Sequence, residues 1–330
     1  MDSDSEIIKK SYKMKTRFLA ILIFTVNISF AQNSNLLIKK SLSLLQNNEI
    51  SCFDKTYQRI WVEYLKENIP YYQNALKEVK KKQYNLALQN IDSLISEGYF
   101  LDNILKDKDF SKLYYQKGWQ KFKKRIDSIK LNYNNEVRRE LITVRDKDQS
   151  IRLILLESRK SNDNALIKKV HDRMKIIDTQ SAIIVGKIID KYGWLGSDKI
   201  GSEANQTLFL GIQHIDDLVV QNKYLPILKD AVKKGNAEPW HFAFLTDRIL
   251  MNQGKKQIYG TQTIISKKPE DSYVVPLQDP DKVDELRKGI GLEPLNDYLQ
   301  EEGLSWNLEE YKKDLPRIEK LYRERQEKSK

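Results

Sequence analysis

Cysteine is almost absent from this 330-residue chain: Cys52 stands alone, no internal disulfide can form, and the fold must rest on its own core. A solitary thiol of this kind is expected to pack as a small hydrophobe. Histidine is nearly as scarce, with only His171, His214 and His241; no H-x-x-x-H pair exists, which excludes a zincin. The glycines at 193, 196 and 201 punctuate Y-G-W-L-G-S-D-K-I-G, but no Gly-Lys-Ser/Thr follows them, so this is no phosphate loop. It reads as a helix C-terminus and a tight connection, with Trp194 as a plug. Asp107 and Asp109 stand two apart, yet the glycine and distal glutamate of a calcium loop are missing, and no metal site is expected. No stripe of aromatics and arginines accompanies the lysines, whose tight clusters are short, as at Lys80-Lys81-Lys82. The net charge of +11 is therefore read as solvated helix faces, and no nucleic-acid partner is expected.

What is present is an ordinary globular composition, 40% hydrophobic and 31% charged, long enough for one large or two modest domains. Near the N-terminus, Lys15 and Arg17 precede an apolar run from Phe18 to Val26, and Ser29-Phe30-Ala31 fits a small-x-small cleavage site. These are the three parts of a secretory signal, and the run is too short to span a membrane comfortably. Residues 1–31 are thus expected to be a leader, with translation starting at Met1 or Met14, and the mature chain to be periplasmic or extracellular without a membrane span. Cleavage removes five positive and three negative charges and leaves +9. No cysteine follows the site, which argues against a lipid anchor.

From residue 32 to 140 the pattern is helical. Pro70 opens a helix carrying Tyr71, Ala75, Leu76 and Val79; a second helix carries Tyr84, Ala87, Leu88, Ile91, Leu94 and Ile95 and stops at Gly98. The pair resembles one tetratricopeptide-type hairpin, a shape that docks protein partners and must pack on other parts of the chain. Lys121 to Glu140 reads as a polar connecting helix leading into a domain at 141–300, and 301–330 as a charged helical tail. The expected fold is mainly α: a helical domain with one small β-hairpin, preceded by the tetratricopeptide-like hairpin.

The chemistry-bearing residues fall in the second half. Counted at 100° per residue as one helix, Leu208, Phe209, Ile212, Ile215, Val219 and Val220 form an apolar wall, Gln213, His214 and Asp217 lie opposite, and Asp216 lands inside the wall. A carboxylate there needs a partner, and Arg152 or Arg248 is expected to supply it. The next helix, Asn236 to Asn252, is apolar on nearly every side and central to its domain, yet carries His241, Asp247 and Arg248. From Lys256 to Ile265, Gln257, Tyr259, Thr261 and Thr263 alternate with Ile258, Gly260, Gln262 and Ile264, a strand pattern whose partner is Tyr273-Val274-Val275.

The motifs D-Q-x-x-R (148–152), Y-G-W (192–194), Q-H-x-D (213–216), D-R followed by G-x-x-Q-x-Y-G-T-Q (247–262) and G-L-x-P-L-x-x-Y (291–298) occur in an order that resembles an uncharacterised bacterial domain-of-unknown-function family of exported proteins. The resemblance implies a shared fold and names neither substrate nor cofactor. Two functional readings remain open. One is an exported hydrolase with His214 as general base, Asp216, Asp217 or Asp247 as its orienting carboxylate, and Arg248 or Arg152 as an anion clamp; Gln213, Gln257, Tyr259 and Gln262 contact the ligand. The other is a binding or interaction module in which the N-terminal helices dock a protein and the buried charges are structural.

Overall fold

The computed structural model describes residues 32–266 and 269–328, so the leader expected at 1–31 lies outside the described residues. The chain divides into a unit ending at Gly211 and another beginning at Ile212, a division that falls within one helix. Both are helical, and the one sheet found among the described residues is a two-stranded antiparallel ribbon. No helix among them is long and apolar enough to cross a membrane.

In the first unit, α1 (Gln32–Gln46), α2 (Ile50–Tyr57) and α3 (Ile60–Asn68) precede the hairpin of α4 (Pro70–Lys80) and α5 (Tyr84–Ser96). Pro70 sits at the first turn of α4, where its missing N–H costs nothing and its fixed φ favours the helix. Tyr72 rather than Tyr71 joins Ala75 and Val79 on the buried face, against Ala87, Ile91, Leu94 and Ile95 of α5. Each of the three large aliphatics of α5 contributes about 1.5–3 kcal/mol by leaving water. Gly98 closes α5 at φ +84°, as its bonds to Ile95 O and, through Tyr99, to Leu94 O require.

The expected continuous helix from Lys121 to Glu140 does not form. α6 (Trp119–Lys130) ends, and Asn134 starts α7 (Asn135–Ser158) by accepting from Val137 N at 3.2 Å. A capping asparagine in the middle of a polar run outweighs the helical propensity of the lysines around it. α7 packs along α8 (Asn164–Tyr192), which Asp163 caps and Gly193 terminates at φ +70°. Trp194 is buried beyond it, followed by the short α9 (Ser197–Ile200) and by α10 (Ser202–His214). Gly211 lets α10 approach α8 closely, because a Cβ there would lie 2.6 Å from Val185 Cγ2. Cys52 is exposed, contrary to expectation: on α2, Phe53 and Tyr57 turn inward and their neighbour faces water.

The second unit holds α11 (Leu218–Lys233) against α12 (Pro239–Asn252), then the ribbon, α13 (Val283–Gly289), α14 (Leu295–Glu301) and α15 (Leu308–Lys328). α12 buries Trp240, Ala243, Phe244, Leu245 and Ile249, and with them His241 and Asp247. The ribbon is shorter than the alternation predicts: β1 (Thr263–Ile264) pairs with β2 (Tyr273–Val274), while residues 257–262 form a folded loop. The charged tail helix is tied to this unit by Tyr311 Oη, which accepts from Leu277 N, and by Tyr322 Oη, which donates to Met251 O.

Candidate functional site

The Q-x-Y-G-T-Q segment is wrapped around one carboxylate. Asp247, fully buried on α12, accepts from Ile258 N at 2.8 Å, Tyr259 N at 3.1 Å, Thr261 N at 3.0 Å and Thr261 Oγ1 at 2.9 Å. It forms no ion pair among the described residues, although Arg287 feels its charge; burial pushes its pKa up, and those hydrogen bonds pull it part of the way back. Gln257 closes the loop from the other side, donating to Gln262 O and Val275 O at 2.9 and 2.8 Å and accepting from Gln262 N at 2.8 Å. Gly260 takes φ +69°, and a Cβ there would meet Leu295 Cδ1 at 2.9 Å. Two of the loop's carbonyls are also taken. Arg287 Nη1 donates to Tyr259 O at 2.7 Å, and Tyr298 Oη donates to Thr261 O at 3.1 Å. Amide, carboxylate and guanidinium here satisfy backbone groups, which is what a buried polar segment requires.

The first unit buries charge differently. Arg138, Arg145 and Arg152 recur every seven residues along α7 and are all buried. Arg138 meets Asp102 and, at 3.7 Å, Glu203; Arg145 meets Glu203 and, at 2.7 Å, Asp146. Arg152 Nη1 lies 3.0 Å from Asp148 Oδ1, and its Nη2 lies 2.9 Å from Asp178 Oδ1. Burial disfavours the charged guanidinium of Arg152, but Asp148 and Asp178 outweigh it and hold the pKa above its usual value. Gln149 Nε2 donates to Asp148 Oδ2 at 2.6 Å, while Gln149 Oε1 and Arg152 Nε are buried without a hydrogen-bond partner.

The sequence-expected residues are therefore dispersed in role. α10 stops at His214 and α11 restarts at Leu218, so the 100° count does not run through Asp216; that residue lies in the intervening loop, exposed, with Asn252 Nδ2 at 3.4 Å and no ion pair among the described residues. Asp217 is the N-cap of α11, accepting from Val219 N and Val220 N at 2.8 and 3.1 Å. Asp216, Asp217 and Asp247 make no hydrogen bond or ion pair with His214, which is half-buried at the end of α10. Arg248 is half-buried on α12, beside Asp247 in sequence but not its partner. Gln213 is buried, its carbonyl accepting from Gln221 Nε2 at 3.4 Å and its Oε1 without a hydrogen bond. Tyr259 contributes its backbone to the loop, and burial raises its hydroxyl pKa, assisted by Asp247. Among the described residues no three His, Cys, Asp or Glu side chains are placed to hold a metal ion.

Sequence reasoning took Arg152 from D-Q-x-x-R and missed the charges that neutralise it. Asp148 was legible as an i, i+4 partner, and Asp178 as the one acid in an apolar stripe of α8. Arg287 meets Glu293, six residues on, through its carbonyl at 2.6 Å and its carboxylate at 3.4 Å, but its bond to Tyr259 O had no such signal, because that carbonyl comes from a distant segment. In comparison with known proteins, the model of a family of unknown function (DUF6624) matches residues 135–308, more than half of the chain, and the chain belongs to that family. No curated protein and no solved structure matches it.

Proposed function

We propose that this member of the DUF6624 family is an exported binding or protein-interaction module whose buried charges are structural. The observation that carries the reading is the closure of the Asp247 loop: every hydrogen bond of that carboxylate goes to Ile258, Tyr259 or Thr261. A catalytic carboxylate needs a proton or a substrate atom within reach, and this one is committed to its own chain. Export is supported by the leader pattern at 15–31, and the destination proposed for the mature protein is the periplasm or the outside of the cell. Residues 32–140 supply the docking region with the α4–α5 hairpin, 141–300 are the helical region with the β-hairpin, within the family match at 135–308, and 301–330 are the tail.

A hydrolytic reading draws on a different observation, the buried Gln213 Oε1 without a hydrogen bond, next in sequence to His214. There His214 is the base, Arg248 the anion clamp, and Gln213, Gln257, Tyr259 and Gln262 the polar contacts. One experiment separates the two. The mature chain and its His214→Ala variant are incubated with ester, phosphoester, amide and glycoside substrates. The module reading expects no turnover by either protein; turnover that His214→Ala abolishes with an unchanged melting temperature overturns it.

A further inference from the structure

Two of the most exposed large hydrophobic side chains among the described residues flank one helix of the first unit. Tyr115, in the turn before α6, is 93% exposed, and Leu131, the residue that ends it, is 80% exposed. Between them α6 buries Trp119, Phe122 and Ile126, at i, i+3 and i+7. At 100° per residue, Lys121, Lys124, Ser128 and Leu131 fall on the far side of the helix, about 170° from that buried stripe. Leu131 keeps helical backbone angles, so the register carries through it. Lys117, just before Gly118, is exposed as well. From Lys117 to Leu131 the face is roughly 20 Å long.

The charge on this face has no use within the molecule. From Lys106 to Arg125 the chain carries eight cations and two acids, in a protein whose net charge over its whole length is +11. Both acids are already engaged: Asp107 and Asp109 lie against Tyr72 Oη, with Lys66 Nζ at 2.9 and 3.5 Å. Arg125 is turned to Asp92, and Lys123 pairs with Asp127 at 2.8 Å. Lys112, Lys117, Lys121 and Lys124 are exposed and make no ion pair among the described residues. Their placement works against the helix. The first turn of α6 holds no acid and does hold Lys121, at the end where a cation is disfavoured by the helix dipole. Lys124 and Arg125 then follow Lys121 at i+3 and i+4, where like charges repel.

We propose that this face of α6 is a docking surface for an anionic lipid membrane, on which the protein lies without spanning it. The lysines would meet lipid phosphates, while Tyr115 and Leu131 enter the boundary between headgroups and acyl chains at the two ends. A lipid surface fits better than an acidic protein because the face is the convex side of one helix and its free cations are lysines. Lysine is a mobile point charge suited to a diffuse field, whereas the arginines here, Arg125 and Arg138, are committed to Asp92 and Asp102. A soluble polyanion would use the lysines but has no place for two projecting apolar side chains. The face precedes the family match at 135–308 and is the same whether that region is a module or a hydrolase.

The test is co-sedimentation of the chain from Gln32 onward, which lacks the apolar run at 18–26, with lipid vesicles. Binding is expected to vesicles of phosphatidylglycerol and phosphatidylcholine in equal parts, not to phosphatidylcholine alone, and to weaken as salt shortens the Debye length. Each lysine near an anionic surface is worth about fivefold in partitioning, so Lys117→Glu, Lys121→Glu and Lys124→Glu together should weaken binding at least about a hundredfold. The melting temperature should not fall, because these side chains have no ion pair to lose. Reversing Lys233, Lys288 and Lys313 in the second unit changes net charge equally and should leave most of the binding intact. Tyr115→Ala with Leu131→Ala should weaken vesicle binding about tenfold and leave binding to soluble polyphosphate unchanged. No binding to the anionic vesicles, or equal losses from the two lysine triples, overturns the proposal. Undiminished vesicle binding by the Tyr115 and Leu131 variant overturns it in favour of a soluble polyanion.

Discussion

Arg152 and Asp247 are both buried charged residues within the family region, and they are stabilised by opposite means. Arg152 is neutralised by two carboxylates, Asp148 on its own helix and Asp178 on the neighbouring one. Asp247 forms no ion pair among the described residues and is solvated by the N–H groups of a loop that folds around it, with the Arg287 charge farther off. The first arrangement pins helix to helix. The second dictates a backbone path, because the donors can point inward only if residues 258–261 curl. A buried charge is thus weak evidence of catalysis in this chain, and the nature of its partners shows what it does.

Removing a centre from each region tests that contrast most severely. Arg152→Met keeps volume and stem but leaves Asp148 and Asp178 buried and uncompensated, and should cost about 3–5 kcal/mol of unfolding free energy in urea titrations. Asp247→Asn should cost less, about 2 kcal/mol, since the amide keeps one acceptor while its NH2 group confronts backbone donors. If the amide variant proves the more damaging, neutral hydrogen bonds are the stronger anchor and the comparison is reversed. Gly260→Ala isolates the path itself. A side chain at φ +69° against Leu295 should cost about 1–2 kcal/mol, and chemical shifts should change in residues 257–262 before any change in the helices.

Acid should sharpen the distinction with the smallest effect. Partial burial drives the Asp102 carboxyl up, but Lys130 and Arg138 outweigh it and hold the pKa below its ordinary value. The stability it contributes is therefore present above the unfolded value of about 3.9 and is lost as pH falls through the folded one. Asp247 is shifted upward, so its contribution has the other sign: present below the unfolded value and lost as pH rises through the folded one. Urea midpoints measured across acidic pH for the parent, Asp102→Asn and Asp247→Asn should give difference curves of opposite slope. Parallel slopes refute the assignment.

Most of the helical architecture was legible in the chain. The Pro70 start, the Gly98 stop and the apolar spacing of Ala87, Ile91, Leu94 and Ile95 are local signals, and helices are local structures. The resemblance to an uncharacterised family, too, agrees with the family match over residues 135–308. Local signals misled where two of them competed. Asn134 ended a run that looked helical, and Asp217 restarted one, so Asp216 left the apolar wall on which a continuous helix had placed it. The candidate site was legible only as residue types: His214, Asp247, Arg248 and Gln262 stand out for polarity, but nothing in their spacing shows which of them share a partner.

The sequence by itself thus determined most of the helices and their caps, because hydrophobic period and capping side chains are read within a few residues. Tertiary structure alone decided that the Y-G-T-Q segment is a loop around Asp247 rather than a long strand. Alternation of polar and apolar residues favours a strand only while no stronger acceptor competes for its N–H groups. A buried carboxylate eleven residues upstream of Ile258 is that acceptor, and its position relative to the loop exists only once α12 has packed.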